Sequence, residues 1–316
     1  MDADAEEWVR GLVAPTGAAE DVHIRPWARA SRVPVLGGAV WFKACAPVQA
    51  FEPRLTALLF ARWPRLLPQV LGHDEARGWL LLTDAGVRVA ELGNPPEAWL
   101  RALPLYGELQ RGEAVHADDH VAHDVPDLRL PSLPERYEDL VRHPLPVTPE
   151  EQQALASRTN LFGRWCEELA SYGVPDTVQH GDLHMNNLFL DGGQVRLLDW
   201  GDSSVGQPFS SLLETFRFLE QVNGLAADDP WFGRLRDAYL EVWEPGQRAA
   251  FPLAMAVGSV AHCVAWLRQR EHLRGPERSA FDESFAVVLR RALAFLTPAT
   301  GTSCQGGRRA VMGTGA

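Results

Sequence analysis

Two carboxylates and one amide are spaced so that a single hairpin can bring them together. Asp182 stands five residues before Asn187, and Asp199 follows the second of two short strand-like runs joined by the turn Asp191-Gly192-Gly193. Strand pairing places the residues before the first strand beside those after the second. We therefore expect the two carboxylates and the amide to converge on one spot.

This set of groups suits phosphoryl transfer. One carboxylate, Asp182, can accept or orient the proton of an attacking hydroxyl, while Asn187 and Asp199 hold Mg²⁺ against a triphosphate. An Asp-x4-Asn loop, followed by a strand that ends in Asp-aromatic-Gly, is the pattern of kinase catalytic and metal-binding loops. If these were ordinary turn and strand-end acids, the whole constellation would have to arise by chance.

The single lysine of the chain indicates a second part of the site. All but one of the 30 basic residues are arginine, and the exception, Lys43, lies in the apolar strand-like run 40–44. The third strand of a kinase N-lobe carries a phosphate-gripping lysine, whereas an edge-strand gatekeeper is the alternative interpretation. Glu52 is the candidate carboxylate partner, although Pro53 places it nearly at the cap of the next helix.

The surrounding elements predict a small sheet ahead of a mostly helical region. Strand-like runs at 33–36 and 39–45 flank Gly37-Gly38, which is the predicted hairpin turn. A helix through 55–63 and a strand at 78–83 follow. The strand ends at Asp84-Ala85-Gly86, where the glycine permits a break in direction, so we place the lobe boundary there.

The second half of the chain predicts several helices. Asp229-Pro230 begins a helix that we expect to run to Glu244, and residues 276–296 form a last amphipathic helix. We predict a long irregular connection at 114–149. The uncharged stretch 249–267 could pass for a membrane span by length, but a buried core helix is favoured.

Composition disfavours several classes of protein. The 316-residue chain has a formal net charge of −11, which disfavours nucleic acid and anionic membrane as partners and suits a neutral or cationic one. Its four cysteines lie far apart without a CxxC pair, so neither a zinc cluster nor a disulfide framework is indicated. The acidic N-terminus does not resemble a signal peptide. These features predict a cytoplasmic protein, and the oligomeric state is left open.

The sequence resembles the aminoglycoside phosphotransferase and choline kinase-like family of the protein-kinase-like superfamily. HGDLHMNN at 180–187 and LLDWG at 197–201 are very similar to the catalytic signature of that family, and the order of elements is similar from about residue 22 to 296. The resemblance implies an α+β, two-lobed protein-kinase-like fold with a small antiparallel-sheet N-lobe and a larger, mostly helical C-lobe. The expected division is an N-terminal segment (1–21), a nucleotide-binding N-lobe (22–85), a catalytic and substrate-binding C-lobe (86–297) and a disordered tail (298–316).

The resemblance also implies a role for each residue of the motif. Asp182 corresponds to the catalytic base, and Asn187 and Asp199 correspond to the magnesium ligands. His180 would brace the catalytic loop, and His184 would be structural or adjacent to the substrate.

The nucleotide is expected to bind between the lobes. No Gly-x-Gly-x-x-Gly precedes Lys43, and the segment 28–31 between the presumed first two strands ends in Ser31. As in the resembled family, this serine and backbone amides would cover the phosphates. Asp84 and Gly86 lie in the segment expected to offer backbone hydrogen bonds to the purine edge. Such contacts fit ATP and do not exclude GTP.

The predicted function is ATP-dependent transfer of the γ-phosphate to a hydroxyl of a small molecule, such as an aminoglycoside, an amino sugar or a similar alcohol. Four acidic residues after the metal loop would suit a cationic acceptor such as a polyamine sugar, although a solvated helical face explains them equally well: Glu214, Glu220, Asp228 and Asp229.

Three other functions compete with this prediction. His180, Asp182 and His184 could instead be ligands of a metal-dependent hydrolase. A non-catalytic nucleotide-binding pseudokinase is the second alternative, which the presence of base and metal residues disfavours. A protein kinase is the third, and no Ala-Pro-Glu segment follows Asp199 to build a peptide-docking platform.

Overall fold

A computed structural model describes residues 1–297 of the chain, and the predicted disordered tail at 298–316 lies outside the described residues. The first part is an antiparallel five-stranded sheet with strand order β1-β2-β3-β5-β4 and two helices. Its elements are α1 (Ala3–Leu12), β1 (Glu20–Arg25), β2 (Ala28–Val35), β3 (Gly38–Cys45), α2 (Glu52–Arg62), β4 (Val70–Asp74) and β5 (Trp79–Thr83).

Helix α1 covers one face of this sheet. Val9 of the helix packs in one cluster with Val40 and Phe42 of β3 and Leu81 of β5. Because side chains alternate along a strand, Lys43 faces the opposite side of the sheet from Phe42. The N-terminal segment thus packs on the N-lobe and leaves the other face of β3 open to the cleft.

The register of the first hairpins differs from the sequence prediction. Val35 pairs with Gly38, so the two-residue turn is Leu36-Gly37, one residue earlier than predicted, and Gly37 adopts the required positive φ of 85°. The segment 28–31, expected to be a connection, forms the start of β2, and the turn before it is Pro26-Trp27. The ends of the strands differ from the prediction because the pairing register depends on both strands, and a single run of residues does not determine it.

The C-lobe follows a short hinge. Its first half contains β6 (Val87–Arg88), α3 (Pro96–Glu113), α4 (Ala117–Ala122), β7 (Asp127–Leu128), α5 (Leu133–Arg142), α6 (Pro149–Ala156) and α7 (Thr159–Ala170). Its second half contains β8 (Thr177–Gln179), β9 (Leu188–Asp191), β10 (Gln194–Leu197), β11 (Ser204–Gly206), α8 (Leu212–Asn223), α9 (Pro230–Leu240), α10 (Pro245–Arg248), α11 (Phe251–His272) and α12 (Gly275–Leu296).

Two of the C-lobe predictions are wrong and two are confirmed. Residues 114–149 contain α4, β7 and α5 rather than an irregular connection, and the helix that Asp229 caps ends at Leu240, before Glu244. The last helix has nearly the predicted bounds. Helix α11 is the one helix of the described chain long and apolar enough to cross a membrane, and most of it is buried in the C-lobe core, as favoured from the sequence.

Helix α2 joins the two lobes. Leu55 and Leu59 lie in the hydrophobic cluster of the C-lobe, not in the cluster under α1. At the end of the helix, Arg62 donates to the buried carboxylate of Glu113 at 2.8 and 2.6 Å. The same carboxylate accepts from Trp63 Nε1 at 2.6 Å and contacts His120 Nε2 at 2.8 Å. Burial alone would raise the pKa of Glu113, but these donors outweigh burial and lower the pKa to about 2.

We expect Glu113→Ala to lower the free energy of unfolding by about 3 kcal/mol at neutral pH, because it removes the carboxylate partner of a partly buried guanidinium. A depressed carboxyl pKa stabilises the fold fully above its ordinary value of 4.5, and this contribution is lost as the pH falls towards about 2. The difference between wild type and variant should therefore shrink by about pH 3. Urea unfolding at both pH values measures it.

The matched control is Glu108→Ala, on the exposed side of the same helix α3. Equal losses in the two variants, or a Glu113→Ala loss that does not depend on pH, would contradict this account.

Candidate functional site

The loop between β8 and β9 carries the predicted catalytic motif. His180 opens this loop, and its backbone N–H donates to the buried Tyr106 hydroxyl at 3.0 Å. The His180 ring contacts the Leu198 carbonyl through Nε2 at 2.7 Å and accepts from the Asp182 N–H through Nδ1 at 3.4 Å. Burial lowers the pKa of His180, which favours the neutral ring with its proton on Nε2. His180 therefore ties the Asp182 loop to the residue before Asp199.

Gly181 allows the loop to lie against the chain after β10. Its φ is +79°, and a Cβ built there would lie 2.1 Å from the Asp202 carbonyl oxygen. A side chain at this position would therefore meet both an unfavourable backbone conformation and a rigid neighbour.

The Asp182 carboxylate has one engaged and one open oxygen. Oδ2 lies 3.2 Å from His184 Nε2 and accepts from Asn187 Nδ2 at 3.3 Å. His184 Nδ1 accepts from the Asn186 N–H at 3.1 Å, so the proton of the neutral ring lies on Nε2, facing Asp182. Among the described residues no group lies within hydrogen-bond distance of Oδ1, so this oxygen can accept the proton of a substrate hydroxyl.

Lys43 lies between two carboxylates from different elements. Its Nζ is 2.6 Å from Glu52 Oε2, at the first residue of α2, and 2.5 Å from Asp199 Oδ1. Glu52 is buried, whereas the Asp199 side chain is 48% exposed towards the cleft. The predicted pair of Lys43 and Glu52 is thus formed in the structure, even though Glu52 begins its helix.

Lys43 and Asp199 stabilise each other in the charged form. Burial disfavours the ammonium of Lys43, but Asp199 and Glu52 outweigh burial and raise its pKa well above the ordinary value. Partial desolvation likewise opposes ionisation of the half-exposed Asp199, but Lys43 outweighs it, so the pKa of Asp199 is lowered. At neutral pH the site therefore holds an ammonium and an ionised Asp199 in contact.

Asn187 and Asp199 offer the oxygen ligands that Mg²⁺ prefers. The Asn187 amide nitrogen donates to the Asp182 carbonyl at 2.9 Å, which leaves the amide oxygen available. Asp199 has φ 66° and ψ 65°, which lies in the left-handed region, an uncommon conformation for a residue other than glycine. Two hard oxygen donors, one of them charged, fit Mg²⁺ that is otherwise bound by phosphate and water.

Three other residues were predicted to contact the nucleotide, namely Ser31, Asp84 and Gly86. Ser31 pairs with Phe42, so it lies on the α1 face of the sheet, and its hydroxyl donates to Asp21 Oδ1 at 2.6 Å. It therefore does not face the cleft, and its expected role in covering phosphates is wrong. Asp84 accepts from the Gly86 N–H at 2.8 Å and shapes the hinge, where Gly86 approaches β9 closely at φ +94°.

A cavity of about 450 Å³ opens beside Asp182. Four acidic residues are among its lining groups, namely Asp182, Asp202, Glu214 and Glu277, and none of the described residues that line it is Lys or Arg. Its volume lies within the range of small-molecule sites. The described lining of the cavity is therefore acidic.

Two cavity residues were not identified from the sequence. Asp202 lies three positions after Asp199, and its Oδ1 accepts from Gln49 at 3.4 Å and contacts the amide of Gln269. Burial, together with Asp182 and Asp199, raises the pKa of Asp202 to about 8. Its position directly after the Asp-aromatic-Gly motif could have identified Asp202 from the sequence. His262, by contrast, lies in the part of helix α11 before residue 268 that has no Asp, Glu, Lys or Arg, and only the fold brings it to Glu214.

The metal-hydrolase alternative has little support in this geometry. Both ring nitrogens of His180 contact backbone groups, and one nitrogen of His184 accepts from a backbone N–H. Within residues 1–297, no three His, Cys, Asp or Glu side chains are placed to hold a metal ion.

We expect Gly181→Ala to destabilise the protein by about 2 kcal/mol more than Gly173→Ala, a control that also replaces a glycine of positive φ. Gly173 has φ +64° and no atom within 4 Å of a built Cβ, so its substitution carries only the conformational cost of about 1–2 kcal/mol. Urea unfolding of both variants measures the difference. Equal losses would show that Asp202 does not restrict the loop.

Comparison with known proteins places this geometry in a family. The sequence from residue 41 to 251, more than half of the chain, matches the family model described as "Phosphotransferase enzyme family". No curated protein sequence is significantly similar to the chain.

Solved structures share the fold at low sequence identity. A choline/ethanolamine kinase family protein from Mesorhizobium loti aligns with a TM-score of 0.64 and 16% identity, over 97% of this chain and 98% of the other. The choline kinase LicA from Streptococcus pneumoniae aligns with a TM-score of 0.61 and 14% identity, over 92% and 98%. An aminoglycoside phosphotransferase in ternary complex with ADP and hygromycin B aligns with a TM-score of 0.62 and 11% identity, over 94% and 99%.

These likenesses confirm the two-lobed α+β kinase-like fold predicted from the sequence. Because the family model covers more than half of the chain and includes Lys43, the Asp182 loop and Asp199, the protein belongs to the phosphotransferase enzyme family.

Proposed function

We propose that the protein transfers the γ-phosphoryl group of ATP or GTP to the hydroxyl of a small cationic molecule. The observation that carries this proposal is the position of Asp182, between the Lys43 and Asp199 cluster and an acidic cavity without basic lining residues. Solved structures of similar fold hold ADP or GDP, and their names include choline, ethanolamine and aminoglycoside kinases.

Each side of the site has a separate task. Lys43 binds phosphate oxygens, and its two carboxylate partners hold the ammonium in place. Asn187 and Asp199 would hold Mg²⁺, which when bound neutralises charge on the phosphates. Asp182 Oδ1 accepts or orients the proton of the acceptor hydroxyl, while His184 and Asn187 hold the other oxygen.

The acidic cavity supports a cationic acceptor. Glu214 is buried. Arg217 contacts its Oε2 and neutralises part of its charge, while its Oε1 lies 3.6 Å from His262 Nε2. An ammonium group entering here would meet Asp202, Glu214 and Glu277 without a competing cation in the lining. A neutral polyol would gain none of this attraction.

The proposal is tested by assaying Mg·ATP and Mg·GTP with choline, ethanolamine, kanamycin and hygromycin B, with glycerol as the neutral acceptor. Release of nucleoside diphosphate and mass spectrometry of the acceptor are the readouts. We expect phosphorylation of at least one cationic acceptor and a loss of about 10²–10⁴-fold in turnover for Asp182→Asn.

The control is Asp191→Asn, which changes an exposed acid at the end of β9 and should retain turnover. Wild-type turnover by Asp182→Asn would refute the base assignment. Phosphorylation of glycerol in preference to all four amines would refute the cationic acceptor, and nucleotide binding without any transfer would favour the pseudokinase.

We expect Lys43→Arg to lose on the order of 10²-fold in turnover. A guanidinium is wider than an ammonium and cannot occupy the same point between Glu52 and Asp199, and an error of about 1 Å in position costs this much. Turnover and thermal midpoint are measured on the same preparation. A stable variant with near wild-type turnover would support the edge-strand gatekeeper instead.

A further inference from the structure

The acidic cavity has an aromatic wall assembled from both lobes. Trp266 of α11 and Phe281 of α12 pack with ring centroids 4.8 Å apart. Trp27 of the N-lobe packs edge-on against Phe281 at 6.4 Å and an interplanar angle of 71°. All three line the cavity beside Asp182. The N-lobe, which on the proposed function binds the nucleotide, therefore contributes Trp27 to this aromatic wall.

Trp27 occupies an unusual place for a half-buried indole. Pro26 and Trp27 are the two residues of the β1–β2 turn, and the strand β1 before them is exposed along its length. A tryptophan at such a turn would be exposed to solvent if the hairpin stood alone. Its burial thus results from its contacts across the cleft.

The turn is also fixed relative to the phosphate-binding lysine. The Trp27 carbonyl accepts from the Ala46 N–H at 2.8 Å, directly after β3. In the neighbouring β2–β3 ladder Ala30 pairs with Lys43, and Cys45 Sγ contacts Glu52 Oε2 at 3.3 Å. A displacement of the hairpin by a bound nucleotide would therefore move Trp27 with it.

We propose that Trp27 is a specificity-determining residue that the N-lobe contributes to the acceptor cavity, so that this cavity is complete only when the β1–β2 hairpin lies against α12. The inference rests on the proposed function. It adds that nucleotide and acceptor binding favour each other, because each stabilises the same position of the hairpin, and such coupling is reciprocal.

Hydrogen exchange with Mg·ADP as the probe tests this proposal without an identified acceptor. Wild type, Trp27→Ala, Trp27→Phe and the control Ile24→Ala are compared, since Ile24 is an exposed residue of the same hairpin. In wild type, Mg·ADP should slow exchange at the hinge, residues 83–88, and in α12 around Phe281. Trp27→Ala should keep the hinge protection and lose the α12 protection, while Trp27→Phe and Ile24→Ala keep both.

A second measurement reports on acceptor recognition. Choline, ethanolamine, kanamycin and hygromycin B are each titrated as acceptors, and for any that is phosphorylated Trp27→Ala should raise the acceptor KM about tenfold or more with little change in the nucleotide KM. Trp27→Phe should restore most of the affinity, because it keeps an aromatic ring in the wall.

The outcomes separate this inference from the proposed function. Protection of α12 in Trp27→Ala equal to wild type would overturn the role of Trp27 and leave the phosphotransferase proposal standing. Absence of hinge protection by Mg·ADP in wild type would overturn nucleotide binding, and the inference with it. An acceptor KM unchanged by Trp27→Ala would also reject the specificity role.

Discussion

The arrangement of the whole site depends on one ammonium group held between two carboxylates. Lys43 comes from β3, Glu52 from the first turn of α2, and Asp199 from the chain after β10, so their contact fixes three elements of two lobes relative to one another. Charges in such a partly buried place are stable only when they are paired. The far end of α2 is fixed in the same way by Arg62 and Glu113. Helix α2 is thus held at both ends by ion pairs, and its apolar side packs on the C-lobe core. This double attachment fixes α2 at the cleft between the two lobes.

Backbone contacts, rather than further ion pairs, hold the base beside that cluster. The His180 ring bridges the Asp182 N–H and the Leu198 carbonyl, while the Leu198 N–H donates to the Asn187 carbonyl at 3.0 Å. These contacts join the loop before β9 to the chain after β10 at the open end of the β9–β10 hairpin, opposite its turn. Since these contacts use main-chain groups, they occupy none of the carboxylate oxygen atoms of Asp182 and Asp199. Main-chain atoms thus hold the loop in place, and the carboxylate oxygen atoms of the same residues take no part in these contacts.

The sequence predicted those parts of the site that lie close together along the chain or have a distinctive composition. The 180–201 hairpin is formed by residues close in sequence, so the convergence of Asp182, Asn187 and Asp199 could be predicted from it. Lys43 was identified because it is the only lysine in the sequence. Ser31 failed because its orientation depends on the register of β2 against β3, which a single run of residues does not determine. The stretch 114–149 was predicted as irregular because of its prolines, yet Pro134 and Pro149 lie in the first turns of α5 and α6, where proline is tolerated. The aromatic wall could not be predicted from any local sequence pattern, since Trp27 and Phe281 are far apart in the sequence and come into contact only in the folded chain.

On the proposed function, the carboxylates beside the reacting groups would also bias the choice of acceptor. Desolvation, together with Asp182 and Asp199, raises the pKa of the half-buried Asp202 to about 8, and a positive charge beside it would favour its ionised form. An acceptor with an ammonium group supplies that positive charge, so its binding favours release of the proton from Asp202 and adds an attraction that a neutral acceptor lacks. On the proposed function, the acids of the cavity therefore favour a cationic acceptor over a neutral one of similar shape.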